Sequence, residues 1–195
     1  MRADAATLRL AVFPRPTFLT DALLVVSGTA LVSLCAQISI KLPFTPVPIT
    51  GQTFAVCLVG ASLGAVRGAT SLTLYFLIGV LGAPVYAHHD HGWDVITSAS
   101  GGYIVGFVAA AAVTGALAEH GWDRRFSSSV GAMLTGNVVI YLVGLPWLAV
   151  VLNTNLEQTL EDGLYPFVPG DLFKLYCAAA LLPAAWRGVK YLDSR

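Results

Sequence analysis

Charge is what this sequence has least of: only 11% of its 195 residues are Asp, Glu, Lys or Arg, and the two signs cancel. A soluble domain carries about 25% charged residues, so a globule that faces water on all sides is excluded. Zero net charge also argues against a nucleic-acid partner, which requires a basic face. Cysteine is nearly as scarce. Cys35, Cys57 and Cys177 stand far apart in apolar runs, with no Cys-x-x-Cys spacing, which argues against a disulfide framework or a zinc site. No Gly-x-x-x-x-Gly-Lys motif occurs, so the chain does not hydrolyse ATP through a P-loop. Ser98-Ala-Ser-Gly101 has the look of a serine nucleophile loop, but histidine is absent beyond His120 and the last two apolar runs carry no base. An enzyme is not expected, and neither is a cofactor.

What the sequence does have is apolar length. Hydrophobic residues make up 56% of it and the mean hydropathy is +0.72. Six runs are long enough to cross hydrocarbon as helices, at about 18–40, 51–67, 69–87, 102–118, 130–152 and 172–189. Basic residues test that count. With the N-terminus inside, Arg2, Arg9, Arg15, Arg67, Arg124, Arg125, Arg187, Lys190 and Arg195 all fall on the cytoplasmic side, leaving Lys41 and Lys174. The expectation is an all-α, six-helix bundle with both termini cytoplasmic, a single domain over 1–195 in the plasma membrane. Two loops, 88–101 and 153–170, are long enough to act as lids on the outer side.

Several polar features stand out against this background. Pro43, Pro46 and Pro48 stiffen an extended segment that delivers Thr50, Gln52 and Thr53 to the start of the second span, with donors and acceptors at the membrane edge. Asp171 and Lys174 are spaced i, i+3 and share a face at the outer end of the last span, where ionisable groups are costly and mark a site. Gly60-xxx-Gly64-xxx-Gly68 and Gly102-xxx-Gly106 read as small faces for close helix packing. Thr29, Ser33 and Ala36 form a similar strip on the first helix, a candidate docking face for another subunit. His88-His89-Asp90-His91, with Asp94, is metal-like in composition but not in spacing, and reads as a solvated loop.

Taken in order, five segments carry a resemblance over nearly the whole chain: Ala36-Gln-Ile-Ser-Ile-Lys-Leu-Pro-Phe-Thr-Pro-Val-Pro-Ile-Thr-Gly-Gln-Thr-Phe54, Leu81-Gly-Ala-Pro-Val-Tyr86, Gly101-Gly-Tyr-Ile-Val-Gly-Phe107, Tyr141-Leu-Val-Gly-Leu-Pro-Trp147 and Pro166-Phe-Val-Pro-Gly-Asp-Leu-Phe-Lys174. The chain resembles the BioY family, the biotin-specific substrate-binding (S) components of energy-coupling-factor (ECF) transporters. The resemblance implies six helices with biotin held near the outer face under the loop between the first two. It implies that Asp171 and Lys174 contact the polar end of biotin, with Thr50, Gln52, Tyr86 and Tyr103 as further contacts. The Gly101-Gly102 pair is read as letting the backbone or the Tyr103 ring approach the ligand. By the same resemblance the partners are an integral coupling (T) subunit and two cytoplasmic ABC-type ATPases. Docking would use the first helix, where the family's Ala-x-x-x-Ala is replaced by Thr29-x-x-x-Ser33. A cation or amide for the biotin carboxylate is expected in the loop after the third span, which here holds histidines and no Arg or Lys. The same architecture serving another vitamin or a biotin precursor, and a self-contained secondary transporter, are the alternatives.

Overall fold

The structure is a computed structural model that describes residues 6–14 and 17–194. Arg2, Arg15 and Arg195, used in the charge count above, lie outside the described residues. A short helix α1 (Leu8–Val12) leads into α2 (Phe18–Gln37), whose N-terminus is capped by the Thr17 hydroxyl accepting from the Thr20 amide. Two two-residue strands follow, β1 (Ser39–Ile40) and β2 (Ile49–Thr50), paired antiparallel with Ser39 opposite Thr50. Then come α3 (Gln52–Leu63), α4 (Ala65–Val80), a single turn at Ala87–His89, α5 (Trp93–Thr97), α6 (Gly101–Glu119), α7 (Phe126–Leu152), α8 (Leu156–Gly163) and α9 (Val168–Asp193). Each of the six anticipated spans has its helix, in α2, α3, α4, α6, α7 and α9.

The helices α2, α6 and α7 are long and apolar enough to cross a membrane singly, and α8 with α9 passes as one bent pair, while α3 and α4 are shorter apolar helices. The centre of the bundle is α6, packed on α3, α4 and α7. Small residues make this possible, because apolar side chains gain little by leaving lipid and close backbone contact must drive association. A Cβ on Gly60 would lie 2.5 Å from the Ala111 carbonyl oxygen of α6, and one on Gly115 would lie 2.5 Å from the Ala65 nitrogen of α4.

Four expectations need correction. The second run does not continue to Arg67: α3 ends at Leu63, Gly64 breaks the helix with a φ of 87°, and Arg67 belongs to the first turn of α4. Gly60, Gly64 and Gly68 therefore do not share one helical face. Gly60 and Gly68 meet across the α3–α4 corner, and Gly64 makes the turn. The first helix ends at Gln37 rather than 40, because Ser39 and Ile40 enter the small hairpin that closes the proline-rich segment. Two residues of the Thr29–Ser33–Ala36 strip, Thr29 and Ala36, face inward, and Ser33 is half-buried. Thr29 and Ala36 are buried, the Thr29 hydroxyl donates to the Ser71 carbonyl of α4 at 2.8 Å, and the Ser33 hydroxyl donates back to the Thr29 carbonyl. Thr29 and Ala36 pack α2 on its own bundle.

At the end of the bundle opposite the hairpin, Asp21 of α2 accepts from Arg9 of α1 and, at 2.8 Å, from Arg67 of α4. Glu119, the last residue of α6, accepts from the Ala65 amide at 2.9 Å and so caps α4. The three cysteines are free.

Candidate binding site

The helix ends nearest the hairpin surround a cavity of about 450 Å³, within the range that holds small-molecule ligands. The proline-rich segment supplies Lys41, Pro46, Val47 and Pro48 to its wall, and the 87–101 region supplies His88, Asp90, His91, Asp94, Ser98 and Ser100. The starts of α3, α6 and α9 and the middle of α7 complete it with Gln52, Thr53, Tyr103, Phe107, Tyr141, Asp171 and Lys174. All six residues anticipated as ligand contacts, Thr50, Gln52, Tyr86, Tyr103, Asp171 and Lys174, line this one cavity.

Asp171 and Lys174 form its charged corner. Pro169 favours the start of α9, and the helical spacing brings Lys174 Nζ to 2.7 Å from Asp171 Oδ1. Asp171 is not the helix cap: it lies inside the first turn, its amide donating to the Phe167 carbonyl. Its carboxylate is buried and also accepts from the Thr53 hydroxyl at 3.1 Å and from the Tyr141 hydroxyl. The Lys174 ammonium donates further to the Thr50 carbonyl at 2.9 Å and to the Thr53 hydroxyl at 3.0 Å. A buried charge is tolerated only when its partners are in place, and here each charge has three.

The other anticipated residues are held by their own hydrogen bonds. Thr50 Oγ1 donates to Gln52 Oε1 at 2.9 Å, and Gln52 Nε2 donates to the Tyr75 hydroxyl at 2.6 Å. Tyr86 is buried, its hydroxyl donating to the Phe76 carbonyl. Tyr103 lies edge-on to Tyr141, with centroids 6.2 Å apart, and donates to the Gly163 carbonyl of α8. The Gly101-Gly102 pair serves packing rather than ligand approach: side chains there would strike the Ile96 carbonyl of α5 and the Trp147 side chain of α7. Both long loops do bear on the cavity. One carries His88 through Ser98, and the other carries Phe167 and the Gly163 carbonyl that anchors Tyr103. Among the described residues no group of three or more His, Cys, Asp or Glu could hold a metal ion.

Sequence reading missed Tyr141 as a site residue and left Thr53 outside the contact set, although the two hold the Asp171 carboxylate. The available signal was a lone tyrosine hydroxyl in the apolar run of α7, which needs a buried acceptor. Lys41, on the same cavity wall, was read only for topology.

Fold and cavity together define the class: a multi-pass helical membrane protein with a solute-sized cavity among its helix ends. The sequence matches the BioY family over residues 5–191. It is 36% identical over 163 residues to the biotin transporter BioY of Rhizobium etli, covering 80% of this chain and 87% of that protein. It is 36% identical over 153 residues to the biotin transporter BioY of Thermotoga maritima, covering 78% and 88%. A probable biotin transporter BioY of Pyrococcus horikoshii is 37% identical over 158 residues, covering 81% and 91%. The fold superposes with a TM-score of 0.76 on the 2.1 Å crystal structure of the S-component for biotin from an ECF-type ABC transporter, at 23% identity, covering 87% of this chain and 94% of that one. The chain belongs to the BioY family, and it is a transport component rather than an enzyme.

Proposed function

We propose that this chain captures biotin from outside the cell and imports it as the S component of an ECF transporter, driven by a coupling subunit and two cytoplasmic ATPases. It would do so as one six-helix membrane domain with both termini inside. The observation that carries this reading is the Asp171–Lys174 pair on the cavity wall, its carboxylate buried and its ammonium half-buried. A carboxylate beside an ammonium suits a neutral ureido ring, whose N–H groups can donate to Asp171 while its carbonyl accepts from Lys174. In the free protein these charges satisfy each other through Thr50, Thr53 and Tyr141, so ligand exchanges one set of hydrogen bonds for another of similar strength. Lys41, His88 and His91 line the same cavity and are the basic groups available to the biotin carboxylate.

The energy source must lie elsewhere, since the sequence has no P-loop. Capture, reorientation of the whole chain in the bilayer and release inside is the cycle this arrangement supports. The runner-up is the same fold taking another vitamin or a dethiolated precursor that shares the ureido ring.

Equilibrium binding of biotin to the purified chain in detergent tests the reading, with dethiobiotin and an unrelated vitamin as competitors. Saturable binding that is lost in Asp171→Ala, and is not displaced by the unrelated vitamin, is the expected result. Absence of binding by folded protein overturns it. Preferential binding of dethiobiotin shifts the assignment to the precursor.

A further inference from the structure

Gln37, the last residue of α2, lies outside the cavity lining, yet its amide grips the segment that forms one cavity wall. Its Nε2 donates to the Tyr86 carbonyl at 3.0 Å, with the Ser33 and Val85 carbonyls at 3.2 and 3.4 Å, and its Oε1 accepts from the His89 amide at 3.1 Å. One side chain thus holds the loop on both sides of His88. The loop needs holding. His88 and His89 have φ of 61° and 62°, so two consecutive residues with a Cβ occupy the left-handed region that L residues rarely adopt. Its own closing bonds are few, Tyr86 N to Asp90 O at 3.1 Å and Asp90 N to Ala87 O at 3.2 Å. Such backbone persists only where surrounding contacts over-determine it.

A second support runs back to the charged corner. The Tyr75 hydroxyl donates to the Val85 carbonyl at 3.3 Å and accepts from Gln52 Nε2. Gln52 in turn accepts from Thr50, whose carbonyl accepts from Lys174. Tyr75 is fully buried and, like Gln37, does not line the cavity, whereas Tyr86, Ala87, His88, Asp90 and His91 all do. The helix that carries Gln37 is less enclosed than α6 and α7.

We propose that Gln37 is a positioning residue, a latch that ties the end of α2 to the 85–91 wall of the cavity and thereby sets how long a ligand stays bound. Movement of α2 away from α4 withdraws the amide, the left-handed turn at His88 and His89 relaxes, and the cavity opens on that side. The effect on ligand residence rests on the biotin reading above; the latch itself does not.

Gln37→Met keeps the length of the side chain and removes its hydrogen bonds. Amide exchange is read first in the ligand-free protein. The His89 and Asp90 amides are expected to exchange about tenfold faster, as loss of two ordinary hydrogen bonds would allow. The Gly92 amide, which donates to the Gly79 carbonyl at 2.7 Å independently of Gln37, and the amides of α6 serve as references and are expected to hold. Biotin dissociation is expected to quicken by a similar factor with little change in association rate. Unchanged exchange at His89 and Asp90, or uniform acceleration across α6, overturns the latch. Faster loop exchange with unchanged dissociation overturns its control of residence. A wild-type chain that binds no biotin removes the transport reading while the exchange result still decides the latch. Should Gln37→Met fail to fold, Gln37→Asn, one methylene too short to reach both partners, replaces it.

Discussion

At the scale of single residues, Asp171 is the group with most to lose. Its carboxylate collects Lys174, Thr53 and Tyr141. Asp171→Ala leaves a partly buried ammonium without its counter-charge, and biotin affinity is expected to fall by about 1.5–3 kcal/mol, the worth of a hydrogen bond to a charged group. Tyr141→Phe removes one donor from the same carboxylate and is expected to cost less, about 0.5–1.5 kcal/mol. Titration calorimetry on both variants decides the order, and an Asp171→Ala affinity equal to wild type in folded protein would sink the assignment. A different carboxyl governs a pH effect. Asp123, in the turn between α6 and α7, is fully buried, accepts from the Trp186 indole at 2.5 Å, and has its second oxygen unpartnered. Burial raises its pKa above the ordinary carboxyl value, so the folded state keeps this proton to higher pH than the unfolded state does. Its contribution to stability is then greatest below the unfolded pKa and declines as pH rises towards the folded one. Asp123→Asn is expected to flatten that decline, seen as a wild-type-minus-variant difference in unfolding temperature that changes between pH 4 and 7.

At the scale of elements, the α3–α4 corner shows why a periodic motif misleads. Gly60, Gly64 and Gly68 recur every four residues, as on one helical face. Yet Gly64 has positive φ, and a Cβ there would lie 2.5 Å from Glu119 Oε1. The same carboxylate caps the Ala65 amide, so the corner, the cap and the end of α6 form one unit. Gly64→Ala is expected to destabilise by about 1–3 kcal/mol through backbone strain, before any cost of displacing Glu119. Glu119→Gln keeps an acceptor and is expected to cost under about 1 kcal/mol. Thermal unfolding in detergent separates the two, and equal losses would argue against the strained-corner account.

At the scale of the whole molecule, orientation in the bilayer follows from where the cations collect. Arg9 and Arg67 meet on Asp21 at one end, and Lys41 and Lys174 face the cavity at the other. If the Arg end is cytoplasmic, a cysteine placed at Arg125 is expected to resist an impermeant maleimide added outside and to react after the membrane is opened, while one at Lys41 reacts from outside. Reaction at position 125 in sealed cells would invert the topology.

Composition alone was enough to put this chain in lipid, because 11% charge does not cover a water-facing surface. Apolar run length placed a helix in each of the six runs, since a helix satisfies its own backbone hydrogen bonds, but misjudged the ends at Gln37 and Leu63, where a hairpin and a glycine corner intervene. The proline-rich segment and the i, i+3 spacing of Asp171 and Lys174 were equally local, and all six anticipated contacts line one cavity. What only the tertiary structure decided are the relations between distant segments. Tyr141 and Thr53 meet on Asp171 across 30 and 118 residues, Thr29 turns inward to Ser71, and Gln37 reaches Tyr86 and His89. These pairings depend on which helix packs beside which. In lipid that choice is made by close backbone contacts at glycine and alanine, whose positions carry no label of the partner they meet.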